Sequence, residues 1–165
     1  MSHSVAGEPS SAGRRAAPLT TAVYSAAEWD LLTRLPGRTV VAAAAPAPGR
    51  PARGVAAGLA GLDAVAAGRA FDSDLVRAVV AAIYARDDGP LQGAAGQLTD
   101  VVDLLAAARA AVRVLSRRAD PADSAAYRQW VQSVAARVCR AATEGQPAPA
   151  DRRFLDRLGR ALGLG

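Results

Sequence analysis

The sequence predicts an all-α protein, a compact bundle of five to seven helices, and three observations predict it. Hydrophobic residues make up 51% of the 165 positions, yet aromatics are only 4% and much of the rest is Ala. Ala is the best helix former, and β-branched residues are too sparse for many strands. Apolar residues recur at a 3.6-residue rhythm through most of the chain, and no hairpin or parallel-sheet alternation appears. Capping signals stand at the starts of several of these stretches.

The elements follow in order. Residues 1–22 are rich in Ser, Gly, Pro and Ala and nearly free of large apolar side chains, so they are expected to form a disordered tail ahead of a single domain, 23–165. Ser25 with Glu28 reads as a capping box opening a helix whose Trp29, Leu32 and Leu35 share a face. Pro36-Gly37 is expected to end it. Residues 38–45, "RTVVAAAA", suit either a short strand or a helix, and "PAPGRPARG" (46–54) is a loop by composition. Residues 55–68 carry Val55, Leu59, Leu62 and Val65 at helical spacing, with Gly54, Gly58 and Gly61 as candidate points of close helix approach.

Asp72 is expected to cap a helix over 73–86 with a stripe of Leu75, Val76, Val79, Val80 and Ile83. The longest periodic element spans 98–118 through Val101, Leu105, Ala108, Val112 and Leu115. Asp120-Pro121 caps the next helix, to about Thr143, which turns Tyr127, Trp130, Val131, Val134 and Val138 inward. The last helix, 150–163, buries Phe154, Leu155, Leu158 and Leu162.

Composition removes several chemistries. The only Cys is Cys139 and the only His is His3, so a disulfide, a Cys cluster, a His-rich zinc site and a His-based triad are all missing. The formal charge of +5 is the balance of 20 basic residues, all Arg, against 15 acidic ones, with no Lys and no Asn anywhere. That pattern fits a GC-rich coding bias, so nucleic acid is disfavoured as a partner. Arg14-Arg15 lacks the apolar region of a secretory signal, and "VVAAAA" (40–45) falls far short of the roughly 20 residues a membrane span needs. A cytoplasmic location without a membrane span is expected.

Two junctions resemble each other. "VVAAIYARDDGPL" (79–91) and "AARVCRAATEGQP" (135–147) both run from an apolar helix into an acid–Gly pair, and an offset of 56 residues superposes them. A duplicated helical hairpin would produce this. Carboxylates beside a Gly turn suit a hard cation such as calcium or magnesium, which makes Asp87, Asp88, Glu144 and Asp151 the candidate metal ligands. The plainer reading is that they are helix breakers and solvated caps. The stretch "EGQPAPADRRFLDRLGRALGLG" resembles the closing unit of tellurite-resistance TerB-like domains, through Glu144, Gly145, Asp151, Phe154, Leu155, Leu158 and Leu162. The resemblance covers roughly the C-terminal half. It implies a small helical bundle with a stress-linked, non-enzymatic role as a scaffold or divalent-cation module. This chain departs from the family pattern in having Glu rather than Asp before Gly145, Pro147 at a usually apolar place, and Asp151 for Glu.

Arg137, Arg140, Arg152, Arg153, Arg157 and Arg160 form a second candidate, a basic surface across the last two helices. It reads either as a solvated face with local pairs such as Asp156–Arg160 and Asp30–Arg34, or as a contact for an acidic partner or nucleic acid. Cys139 reads as a structural thiol, and Tyr127 with Trp130 as core anchors. Asp72 and Asp74 read as capping groups. No acid–base or nucleophilic scheme finds its partners, so a non-enzymatic protein is expected. Its partner would be another protein, with a homo-oligomer left open.

Overall fold

The computed structural model describes residues 21–50, 53–86, 91, 100–141 and 146–165. Six α-helices are named along them: α1 (Ala26–Ala44), α2 (Val55–Ala66), α3 (Asp74–Ala85), α4 (Val101–Arg118), α5 (Pro121–Ala141) and α6 (Pro149–Ala161). A 3-10 turn, Ala67–Ala70, continues α2. The described residues form no strand, as the sequence predicted. Residues 1–20 of the expected tail lie outside them, whereas Thr21 and Ala22 already belong to a helical turn onto which the Tyr24 amide closes.

The bundle is organised around α5, which packs against all five other helices. Its Tyr127, Trp130, Val131, Val134, Ala135 and Val138 are sealed from solvent. Tyr127 and Trp130 meet edge to face, with ring centroids 5.8 Å apart. Each ring also carries a polar tip that needs a partner once buried. The Trp130 indole N–H donates to the Ala64 carbonyl in the last turn of α2 (3.1 Å). The Tyr127 hydroxyl donates to the Leu32 carbonyl of α1 (2.7 Å).

That second bond explains the largest departure from expectation. Pro36-Gly37 does not end the first helix; α1 runs through both residues to Ala44, so residues 38–44 are helical and only Ala45, its C-cap, is extended. A proline has no amide hydrogen, so the carbonyl four residues before it loses its helical donor. For Pro36 that carbonyl belongs to Leu32, and the Tyr127 hydroxyl takes the missing donor's place. Burial pushes the Tyr127 hydroxyl well above its ordinary pKa, which keeps its proton available for this bond.

Helix ends mostly follow the predicted signals. Ser25 and Glu28 close the capping box in both directions. Glu28 also reaches Arg118 and Arg117 at the far end of α4 (3.4 and 3.8 Å). Asp120 accepts from the amides of Ala122 and Asp123 at the start of α5. For α3 the cap is Ser73 rather than Asp72: its hydroxyl accepts from the Val76 amide and donates to Asp123 of α5 (2.6 Å). In α4 the buried stripe lies slightly round from the one expected, on Leu104, Leu105, Ala108, Ala111 and Leu115, with Val101 and Val112 only half-buried.

Glycine has one clear packing role among the three positions proposed for it. A Cβ on Gly61 would sit 2.7–2.9 Å from Val40 and Val138 side-chain carbons, so this residue sets the close approach of α2 to α1 and α5. Gly54 and Gly58 face open space. Beyond α2, Gly68 lets the 3-10 turn lie on Trp130, where a Cβ would come within 2.8 Å of the indole. The two acid–Gly junctions fall largely outside the described residues. The helices before them do end 56 residues apart, at Ala85 and Ala141, but Val101 follows Ala85 at twice the distance at which Pro149 follows Ala141.

Two expectations about stability follow. Tyr127→Phe leaves the Leu32 carbonyl buried without a donor and should cost about 1–3 kcal/mol in urea denaturation. Adding Pro36→Ala, which restores a backbone donor, should recover part of that loss. Gly61→Ala should cost about 1–3 kcal/mol through overpacking, whereas Gly58→Ala, in open space, should stabilise by about 0.5–1 kcal/mol.

Candidate functional site

The segment read as a loop by composition, 46–54, turns two arginines into the protein at its described residues, 46–50 and 53–54. Ala47 and Arg50 exchange both backbone hydrogen bonds (2.9 and 2.7 Å) around Pro48-Gly49. Pro at the second place and Gly at the third, with φ +76° at Gly49, is the pattern of a type II turn. The turn sends Arg50 back under the end of α1, and Arg53 follows just ahead of Gly54, the N-cap of α2.

Both side chains are buried, at 4% and 3% exposure, and both converge on Asp151, which is 1% exposed in the first turn of α6. Arg50 Nε donates to one carboxylate oxygen at 2.9 Å, and Arg53 Nη2 donates to the same oxygen. Two further donors go to helix ends, while the buried Arg53 Nε has no partner among the described residues. Arg50 Nη2 reaches the carbonyls of Ala42 and Ala43 at the end of α1, and Arg53 Nη1 reaches those of Val138 and Cys139 near the end of α5. Carbonyl ends of helices carry partial negative charge and amide ends partial positive charge, so every ion of this cluster sits at the pole that favours it. The arrangement offsets the surplus of one guanidinium over the single carboxylate. Arg50 also lies over the Phe154 ring, 4.5 Å from its centroid.

The Cys139 thiol shares the cluster. It lies within hydrogen-bond reach of Asp151, and burial first, then the Asp151 charge, push it up from its ordinary 9.0. It is a buried structural thiol, in line with the sequence reading.

Of the four candidate metal ligands, Asp151 is therefore engaged by two guanidiniums, while Asp87, Asp88 and Glu144 lie outside the described residues. Among the described residues no group of three or more His, Cys, Asp or Glu comes together as a metal cluster would require.

All six residues of the proposed basic surface are exposed. Arg153, Arg157 and Arg160 follow one another at i, i+4 and i+7 along the outer side of α6. Elsewhere Arg34, Arg77, Arg86, Arg117 and Arg118 reach carboxylates. Among the described residues the six of the basic surface do not, and neither do the exposed Arg69, Arg109 and Arg113. The Asp30–Arg34 pair forms at 2.8 Å; the pair expected at the same spacing between Asp156 and Arg160 does not close. Arg153 and Arg157 line a cleft of ≈ 230 Å³ together with Arg50 and Phe154. A second cleft, of ≈ 380 Å³, lies around Gln132, Asp156, Gly159 and Arg160.

Sequence reasoning missed Arg50 and Arg53 because their counter-ion lies about a hundred residues away. The signal was on the other side: Asp151 stands at the spacing of Phe154, Leu155 and Leu158, a carboxylate in an apolar stripe, and such a group needs a buried cation. Fold and cluster together define a helical bundle clamped by an internal ion cluster, with an unpaired arginine face outside it. Compared with family models, curated proteins and solved structures, the chain matches none. Among the described residues no helix is long and apolar enough to cross a membrane.

Asp151→Asn leaves two buried guanidiniums without a counter-charge and should cost about 3–5 kcal/mol by chemical denaturation. A thiol raised in the folded state contributes stability that is complete below its unfolded pKa and is lost as pH rises through the folded value. The wild-type denaturation midpoint should therefore fall as pH is raised past 9.0, and Cys139→Ala should flatten the first part of that fall.

Proposed function

We propose that this chain is a non-catalytic interaction module that docks an acidic partner protein through α6 and the end of α5. One observation carries the reading: six exposed guanidiniums are gathered on two adjoining helices with no carboxylate partner among the described residues; Arg109 and Arg113 of α4 are likewise without one, while five other surface arginines are paired. Unpaired surface charge costs little in water, and it is available to steer and orient a partner of opposite sign. The buried cluster supports the same reading, since it anchors the first turn of α6 to the ends of α1 and α5 and so presents the face from a fixed support.

A protein partner is favoured over nucleic acid because an interface for single strands adds aromatic rings on which bases stack. Phe154, the aromatic of α6, is only 4% exposed and is occupied by Arg50. The resemblance to TerB-like domains adds a stress-linked scaffolding role to the proposal. Any divalent cation at the junctions would fall to Asp87, Asp88 and Glu144, because Asp151 would first have to leave both guanidiniums.

The test is binding of a fluorescent poly-glutamate chain across a salt series. Affinity should fall steeply between low and physiological salt. Reversal to Glu at Arg137, Arg153 and Arg157 should abolish it, while the same change at Arg34 and Arg117 should not. Absence of binding at low salt, or equal loss in both variants, would refute the proposal.

A further inference from the structure

Within that arginine face, the cleft beside the buried cluster has the make-up of a receptor for a single side chain. We propose that it is the selective element of the interface: it takes one Asp or Glu of an acidic partner segment between Arg153 and Arg157, with a neighbouring aliphatic side chain on its apolar wall. The inference rests on the docking role proposed above.

Three features of the cleft carry it. First, its charge has one sign. Arg153 and Arg157 stand one helical turn apart on its rim, Arg50 forms part of its wall, and no carboxylate lines it among the described residues. Arg50 is 4% exposed; its Nε and Nη2 are committed to Asp151 and to the end of α1, leaving Nη1 without a hydrogen bond among the described residues. A carboxylate entering the cleft therefore meets two exposed guanidiniums and one held in place, groups whose planar fork matches a carboxylate.

Second, the rest of the lining is apolar. Val101, Pro48 and Ala47 supply its accessible part, from the start of α4 and the type II turn, with Ala150 and the Arg50-covered Phe154 of α6 behind them. An ion on its own gains nothing from such a wall, but an aliphatic residue next to the acid does. Third, the size is restrictive. At ≈ 230 Å³ the cleft is smaller than the roughly 300–1,000 Å³ typical of pockets that enclose a small-molecule ligand. An anchoring side chain set in a pocket at the centre of an interface is a recurrent means of binding between proteins. Arg50 in the wall is held in place, because it is bonded to the buried Asp151 and to the end of α1.

The experiment compares two fluorescent acidic peptides of equal charge and length, one of Glu separated by Ser and one of Glu separated by Leu. The Leu peptide should bind the full chain about tenfold more tightly. Arg153→Ala and Arg157→Ala should each erase most of that preference, whereas Arg137→Ala should weaken both peptides equally and slightly. Val101→Asp, at a half-buried site on the cleft wall, should remove the preference and leave Arg137-dependent binding in place. Circular dichroism of each variant checks that the helices persist. Equal affinity for the two peptides, with all arginine variants behaving alike, would overturn the cleft while leaving the basic face as the docking surface. Failure of both peptides to bind at low salt would overturn both.

Discussion

One carboxylate, that of Asp151, is the constraint on which the geometry of this protein rests. It is buried where an unpaired charge would be intolerable, and it is answered by two arginines from a single loop. Those arginines complete their bonding on the terminal carbonyls of α1 and α5. Three helix ends and one turn therefore meet at a single point. A buried ion pair of this kind is weak as a source of net stability, since desolvation offsets most of its attraction. Its effect is on specificity. An apolar contact tolerates sliding by an ångström, but a carboxylate bonded to two guanidiniums does not, so α6 has one position and one rotation on the bundle. The orientation of Arg153, Arg157 and Arg160 toward solvent follows from that.

Most of the fold was legible in the sequence because its causes are local. The 3.6-residue rhythm, the Ser25–Glu28 box and the Asp120-Pro121 start each act within a few residues, and each is found in the structure. What was illegible acts across the chain. Pro36-Gly37 has the chemistry of a helix stop, and it fails to stop α1 because a hydroxyl 95 residues later supplies the absent donor. The Ala-Pro-Gly-Arg turn has the composition of a solvated loop, and it is buried at Arg50 because its counter-ion is 101 residues away. Close approach at Gly61, rather than at Gly58, likewise depends on which neighbours α2 meets.

The candidate sites divide along the same line. The basic face was readable because exposed arginines on an amphipathic helix follow from spacing alone, and the structure leaves all six in solvent. Asp151 was readable as a charged group near a junction, but its partners were not. A carboxylate beside a glycine turn suggests a cation, and here the cations are guanidiniums of the chain itself. Cys139, in the last turn of α5, also feels the cluster's field, since the Asp151 charge helps to raise its thiol.

The bond between Tyr127 and Leu32 also has a consequence for the order of events as the chain is made. Residues of α1 leave the ribosome long before Tyr127 is synthesised, and until then the Leu32 carbonyl has only water to bond. Water satisfies that carbonyl without tying it to another helix. The bond that joins α1 to α5 therefore exists only after most of the chain has been made.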